Sequence, residues 1–551
     1  MENLGFDKTD KLGDKYEDEL SSEIWRTWEY LRGRRGTWEQ HWTEIAQRFY
    51  PMDSFLFFSL QNLTNQGDKR NQEILDSTAP LALQRFGAIL DSLLTPRNQF
   101  WHQLKPSDRT LLNNKATMDW FSKVNTLLFE QRYSARANFA SQNQLQYLSL
   151  GAYGTGGLFI DDLAGERGIR YKNVHLSELY LQENHQGVVD QVYRYFMLTA
   201  RQAVQKFGDK LPDTIINREK THPEDPTFFI HCVKPREDRD PKRKDFKGMA
   251  YASYYVSFEG KKMVGEGGYR TFPYAISRYT QASQEAYGRS PAMDVLPATK
   301  TLNKQKEIML KQGQLTVDPV MLVHDDGIMD GASIESGTYI SGAISADGRM
   351  LVQPMPVGRL EVGKELMDNE RTAINDAFLV NLFQILTETP EMTATEVMER
   401  TREKGILLAP TVGRQQSEYL GPMIEREIDI LTRQGLLPPM PMFLKQAQGD
   451  YKIVYDSPIT RTQKAEWAAG AVRTVEVLLN VAQQTQDPSK LFYINWDVAA
   501  PAMADIYGTP AEWINTQEAV KQLQMQMAKQ QQQQQLIQAA PAAAGVLKAV
   551  Q

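Results

Sequence analysis

Several stretches of the chain have residue types and spacing that could do chemistry, and each lacks a part the chemistry needs. Gly151 to Gly157 reads GAYGTGG, glycine-rich enough to wrap backbone amides around a phosphate. It lacks the Gly-Lys-Ser/Thr ending that puts an ammonium on the phosphates and a hydroxyl on magnesium, and it precedes a strand-like run instead of opening a helix. A structural turn is the better reading. Asp325 to Gly331, DDGIMDG, has the acidic look of a calcium loop, yet Ile328 occupies the third ligand position and no glutamate falls at the twelfth. A hydrated turn is expected there. The single cysteine, Cys232, excludes a disulfide scaffold and a Cys-based zinc site, and fits a reducing compartment. Seven histidines are scattered, and His41, His102 and His231 read as core or surface residues. No His-Glu-x-x-His or Gly-x-Ser-x-Gly is present. The residues therefore predict no enzyme, no cofactor and no metal.

What remains is electrostatic. Glu361, Glu365, Asp368, Glu370 and Asp376 fall on other faces of a helix whose apolar stripe is Leu366, Ile374, Ala377, Phe378 and Ile385. With one end at Glu361 and the other at Leu386, that helix would span about 40 Å. Thr387 to Met392, with Glu388, Glu391 and the helix-breaking Pro390, forms a short loop before a capping box at Thr393 and Glu396. Upstream, Pro297 to Gln312 turns Leu302, Ile308 and Met309 inward and Lys300, Lys304, Lys306 and Lys311 outward. An acidic helix face suits a lining that repels DNA phosphates, and equally an ordinary solvated surface.

These residues sit in a chain of 551 residues with 62 basic and 68 acidic side chains, a net charge of -6. At roughly 150 residues per domain this length suggests three or four units with ample core. The charge lacks the basic footprint of a protein that grips DNA tightly. The N-terminus has no signal-peptide pattern, and no apolar run is long enough to span a membrane.

The elements that must position the charged groups change character along the chain. Residues 1–157 read as helical: Thr37 and Gln40 make a capping box that opens a helix with Trp38, Trp42, Ile45 and Phe49 on one stripe, stopped by Pro51. A second helix lies between Asp76 and Pro96, apolar almost all round, and Met118, Phe121, Val124 and Leu128 continue the pattern. From 158 to 284 the period becomes 2, and a mostly antiparallel β unit is expected, with turns at Asn184 to Gly187 and at Glu259-Gly260. Within it, Lys234 to Lys247 is charged at eleven of fourteen positions and reads as a solvated hairpin loop. A helix in 285–315, a glycine-punctuated β-prone insert in 316–360, a helix in 361–386 and the loop 387–392 follow. Beyond these, 393–509 holds one long kinked helix to Gln434, a strand at YKIVYDSP and a helix from Thr462 to Gln484, and 510–551 fades into a Gln- and Ala-rich tail. A helical pair bracketing a small β tip projects that tip from a body, and its uncovered faces need neighbours, as in a ring.

Between Trp38 and Pro441 the order and spacing of several segments resemble the head-to-tail connector, or portal, proteins of short-tailed bacteriophages. The segments are W-x3-W-x2-I-A-Q-R-F-Y-P at Trp38, LDSTAPLALQRFGAILDSLLTP at Leu75, W-x2-L at Trp101, AYGRSPAMDVLPATKTLNK at Ala286, MTATEVMERTREK at Met392, the arginine and glutamate of MIEREIDI, and GLLPPMP at Gly435. The resemblance implies an α+β, mainly helical, elongated subunit assembling with copies of itself into a ring, as a rule of twelve, at one capsid vertex. It implies a wing (1–157 and 158–284), a stem (285–315 and 361–386), a clip (316–360), a tunnel loop (387–392), a wing or crown base (393–509) and a crown (510–551). Thr387, Glu388, Thr389, Pro390, Glu391 and Met392 would face the channel, Glu361, Glu365, Asp368 and Asp376 would line the stem, and Asp325, Asp326 and Asp330 would lie on the clip's docking surface. The implied partners are double-stranded DNA, the terminase large subunit, tail adaptor and tail proteins, scaffold and the major capsid protein, with no membrane. The implied location is the head-tail junction of the virion, and the host cytoplasm during assembly. A virion adaptor or scaffold protein that oligomerises without a channel is the alternative.

Overall fold

The computed structural model describes residues 11–53, 73–323, 344–381 and 408–455, interrupted at 109, 112–113, 164–165, 357–359 and 447–448, together with scattered residues between 470 and 530. The chain opens with α1 (Lys11–Phe49), which runs unbroken through Thr37, so the helix start expected there is corrected. Two glycines inside it, Gly33 and Gly36, weaken its local propensity. Tertiary contacts carry it across: the buried Arg35 donates to the carbonyls of Leu176, Ser177 and Leu179 and to the Glu39 carboxylate. Its N-terminal half lays Leu20, Ile24, Trp25 and Trp28 on a β-sheet, and its C-terminal half places Trp42, Ile45, Ala46 and Phe49 in the main core.

Helix α2 (Thr78–Leu94) buries Ala79, Ala82, Leu83, Phe86, Leu90, Leu93 and Leu94, while Leu81 stays exposed. β1 (His102–Pro106) interrupts the region expected to be purely helical, because its partner lies far downstream. Helix α3 (Lys115–Arg132) starts where the Asn114 side chain accepts from the Thr117 amide. α4 (Phe139–Tyr153) ends at Gly154 in the left-handed region (φ 74°), where a side chain would also run into Gly288. The glycine-rich motif is thus a helix C-cap leading into β2 (Thr155–Asp162), as its sequence suggested.

Strands β2, β3 (Ile169–Val174) and a later β9 form an antiparallel sheet in the order β3-β2-β9. A second antiparallel sheet is a meander of β4 (Leu179–Glu183), β5 (Val189–Thr199), β6 (Pro226–Pro235), β7 (Tyr251–Ser257) and β8 (Met263–Tyr269). Its side chains alternate strictly: Tyr193, Ile230, Cys232, Tyr254 and Met263 meet α1, whereas Phe196, Phe229 and Val264 meet the other side. That other side is covered by α5 (Ala200–Phe207), opened by a Thr199–Gln202 capping box, and α6 (Asp213–Thr221), two helices inside the unit read as β. Cys232 is fully buried, and burial pushes its thiol up to about 12.

The charged segment from Lys234 to Lys247 is the β6–β7 connection, although its first residues are not solvated: Lys234 pairs with Glu23 and Arg236 with Glu266. After β9 (Tyr274–Arg278) come α7 (Pro291–Asp294), α8 (Leu296–Val317), β10 (Met321–Val323), β11 (Val352–Pro354) and α9 (Leu360–Ala377). β10 and β11 pair as an antiparallel ribbon, matching the small β insert expected between two helices. The kinked helix is described from 408: it passes through a π-turn at Gln416–Leu420 into α10 (Gly421–Arg433). That π-turn and the following Pro422 are where a bend expected in this helix would form. α11 (Met442–Gln446) and β12 (Tyr451–Tyr455) follow, and β12 pairs with β1. Residues 470, 472–481 and 483–484 are helical, as expected for that segment. The capping box at Thr393 and Glu396 and most of 510–551 lie outside the described residues.

Candidate functional site

Helices α8 and α9 pack against each other. Gly363 of α9 sits on Met309 of α8, where a Cβ would collide with the thioether, so the glycine sets how close the two helices come. Leu302, Met367 and Ile374 fill the buried side of the pair. α9 is interrupted after Ala377, because Phe378 turns into the core, with its ring centroid 5.8 Å from both Phe49 and Phe86; Val380 and Asn381 are helical again, and the rest of the helix expected to Leu386 lies outside the described residues. Leu379 follows at φ 62°, which no helix tolerates. The expected inward stripe is also corrected in part: Ile308 is 53% exposed and Leu366 50% exposed, because no described segment covers the far half of the pair.

Glu361, Glu365, Asp368 and Asp376 all lie exposed on one face of α9, opposite Met367 and Ile374. Their spacing brings them together on successive turns. On α8 the outward face carries Lys300, Lys304 and Lys311, with Glu307 and Ile308 among them and Leu315 one turn beyond. Lys304 and Lys311 both bond Glu307, at 2.9 and 2.7 Å, and the Lys311 and Lys304 ammoniums pull its carboxyl down to about 2. Lys300 pairs with Glu44 of α1.

The pair is fastened to the body at Asp76, ahead of α2. Arg371 donates to Asp76 at 2.7 and 3.2 Å, and the Asn303 side-chain oxygen accepts from the Leu75 and Asp76 amides. Burial alone would raise the Asp76 pKa, but hydrogen bonds from Thr78 and Arg371 outweigh it and hold the carboxyl below its ordinary value. Sequence reasoning missed this junction. Its signal was present: Arg371 falls between Met367 and Ile374 on the buried stripe, where a charge requires a partner.

The helix from 408 through the π-turn to Arg433 is held by two ionic clusters. Arg132 of α3 and Glu427 of α10 are both fully buried and bidentate, at 3.0 and 2.5 Å, with Tyr171 donating to the same carboxylate at 2.6 Å and the Trp101 ring 4.6 Å from the guanidinium. His102, 2.8 Å from Arg132, is held neutral by burial and by that cation. At the π-turn, Arg278 donates twice to Glu418 at 3.0 Å and also binds Glu183, while Gln415 donates to the Arg278 carbonyl at 2.9 Å.

Of the other residues expected to act, Thr387, Glu388, Thr389, Pro390, Glu391, Met392, Asp325, Asp326 and Asp330 lie outside the described residues. Among the described residues no cluster of His, Cys, Asp or Glu could hold a metal, and no helix is long and apolar enough to cross a membrane. The arrangement is a pair of packed helices, acidic on the outer face of α9 and carrying lysines bonded to Glu307 on that of α8, fastened to the body at Asp76.

Comparison with known proteins places this arrangement. The probable portal protein of Bordetella phage BPP-1 is 29% identical over 517 residues, covering 91% of this chain and 90% of the relative. The portal protein of Salmonella phage epsilon15 is 28% identical over the same coverage. A solved chain from the neck of an empty GTA particle aligns with 71% of this chain and 88% of its own at 11% identity and a TM-score of 0.35, too weak a likeness to bear on the fold. A model of the bacteriophage head to tail connecting proteins matches residues 21–514. The chain is a member of that bacteriophage head to tail connecting protein family.

Proposed function

We propose that the chain is the portal subunit of a phage: twelve copies form a ring at one capsid vertex, through which double-stranded DNA enters during packaging and leaves at infection. The observation that carries this reading is its likeness to two phage portal proteins over 91% of its length. The stem is α8 and α9, the clip is the β10–β11 ribbon with the residues between its strands, and Thr387 to Met392 is the tunnel loop. The clip, with Asp325, Asp326 and Asp330, docks the terminase large subunit first and tail adaptor and tail proteins later, while scaffold and the major capsid protein hold the rim. The ring makes and breaks no bonds, and ATP hydrolysis belongs to the motor.

The mechanism is electrostatic and steric. Glu361, Glu365, Asp368 and Asp376 border the bore, and Glu388 and Glu391 ring its narrowest point. Negative rings disfavour sticking, whereas basic rings would bind phosphates by releasing counterions. DNA therefore slides until the loop or the docked partners hold it.

Negative-stain images of the purified protein should show closed rings with a central hole. A monomer at high concentration, or a closed particle without a hole, overturns the reading. Deleting Thr387 to Met392 should leave rings intact while phage heads fail to fill with DNA or to retain it. Normally filled heads would refute the loop's role.

A further inference from the structure

We propose that the groove between the β4–β5 turn and α10 is a binding site for an organic cation, an alkylammonium or guanidinium group. The proposal does not depend on the ring reading. A cleft of about 740 Å³ opens there, walled by the turn from Asn184 to Val189, by Tyr251, Phe272 and Tyr274, and by Pro422 and Glu425 of α10. Its volume falls in the range of roughly 300–1,000 Å³ that small-molecule sites occupy. The π-turn at Gln416–Leu420 adds Ser417 and Glu418 to the same wall. Such turns recur at functional sites.

Two carboxylates in this cleft lack a counter-charge. The Asp190 Oδ1 is buried and accepts no hydrogen bond, and burial raises the carboxyl above its ordinary range, opposed only in part by its own backbone amide and by His185. Glu425 is open to solvent, yet desolvation raises its carboxyl as well. Burial pushes the Tyr251 hydroxyl up and the charges of Asp190 and Glu425 add to it, so both carboxylates stand near one ring. The cations of the cleft do not answer them. Arg278 is already bound to Glu183, the Gly187 carbonyl and Glu418, and Arg270 is exposed at the rim. A buried carboxylate oxygen without a donor is costly, and a bound cation removes that cost.

The aromatic side of the cleft selects the kind of cation. The ring centroids of Tyr251 and Phe272 lie 5.2 Å apart and those of Phe272 and Tyr274 6.1 Å apart, so three rings line one side in succession. Ring faces attract ammonium and guanidinium groups. A hard metal ion needs several converging oxygens instead, and among the described residues no three His, Cys, Asp or Glu side chains converge. A phosphate or carboxylate ligand would meet Asp190 and Glu425 as like charges. The ligand is therefore a carbon chain bearing cations. A free polyamine and the lysine or arginine of a docked polypeptide offer the cleft this same chemistry.

Isothermal titration of the full-length chain with spermidine, and separately with a tri-lysine peptide, tests the site at about 0.15 M salt, where scattered surface charge is screened. The parent should bind one or both probes saturably, at one site per chain. Asp190→Asn with Glu425→Gln should weaken that binding roughly tenfold while circular dichroism and melting match the parent, since neither carboxylate holds a cation in the fold. Asp209→Asn with Glu130→Gln removes the same charge from exposed positions elsewhere and should leave binding unchanged. Arg270→Gln should tighten binding, because a competing cation leaves the rim, and it decides alone if the Asp190 and Glu425 variant does not fold. Tighter binding of spermidine assigns the site to a free polyamine and tighter binding of the peptide to a docked chain, and either result supports it. No saturable binding of either probe, unchanged affinity without the two carboxylates, or weaker binding in Arg270→Gln overturns the proposal. Loss of rings that the parent forms, on replacing Asp190 and Glu425, also overturns it by handing the cleft to a contact between copies.

Discussion

Arg371 of α9 places its guanidinium 2.7 Å from Asp76, a carboxylate that also accepts the Thr78 amide at the start of α2, so one acidic side chain ties the α8–α9 pair to the body. Asp76 is buried and Arg371 partly exposed, which makes the bond stronger than a surface pair and weaker than a fully buried one.

Removing the cation should loosen this junction. Arg371→Met is expected to cost about 1–3 kcal/mol, the desolvation left on an unpaired buried acceptor. Because the folded Asp76 pKa is depressed, its contribution is complete above the unfolded carboxylate pKa of about 3.9 and is lost as pH falls through the folded value. Melting temperature followed from pH 7 to pH 3 should fall less steeply at its acid end in Arg371→Met than in the parent. Identical acid limbs would show that the pair contributes nothing.

The buried Arg132–Glu427 pair should behave asymmetrically. Arg132→Met alone strands a carboxylate among apolar groups and should cost about 3–5 kcal/mol, whereas Arg132→Met with Glu427→Leu should recover much of that loss. Urea midpoints of the two variants decide it. A double variant no more stable than the single would mean that the cluster acts through shape alone.

Where α8 and α9 cross, Gly363→Val drives a side chain into Met309 and should destabilise by about 1–3 kcal/mol through overpacking. Adding Met309→Ala should restore most of the stability, read by thermal melting. A Gly363→Val variant as stable as the parent would show that the helices can part without cost.

Arg278 holds the π-turn through Glu418 and through its own carbonyl. Arg278→Gln should speed amide exchange at Gln416 to Leu420 roughly tenfold, while α10 beyond it stays protected by the Arg132 cluster. Unchanged exchange at the turn would assign its geometry to Pro422 and packing instead.

Periodicity in the sequence located α2, α3, the antiparallel strands, the paired helices around a β ribbon and the acidic row of α9, because those depend on spacing that a neighbouring segment reads directly. Order and spacing of motifs also reached the family. Spacing failed where a distant partner decides. Thr37 and Gln40 have the chemistry of a helix start, but the carbonyls that receive Arg35 carry α1 straight through. His102 to Pro106 became a strand because Tyr451 to Tyr455 lies beside it. α9 breaks after Ala377 because Phe378 finds Phe49 and Phe86. The acidic row was written in the primary structure, since four residues on one helix face need only the helix. The register of α9 against α8 was decided by folding, because Met309, Gly363 and Asp76 fix two helices against each other, and no local pattern encodes a height.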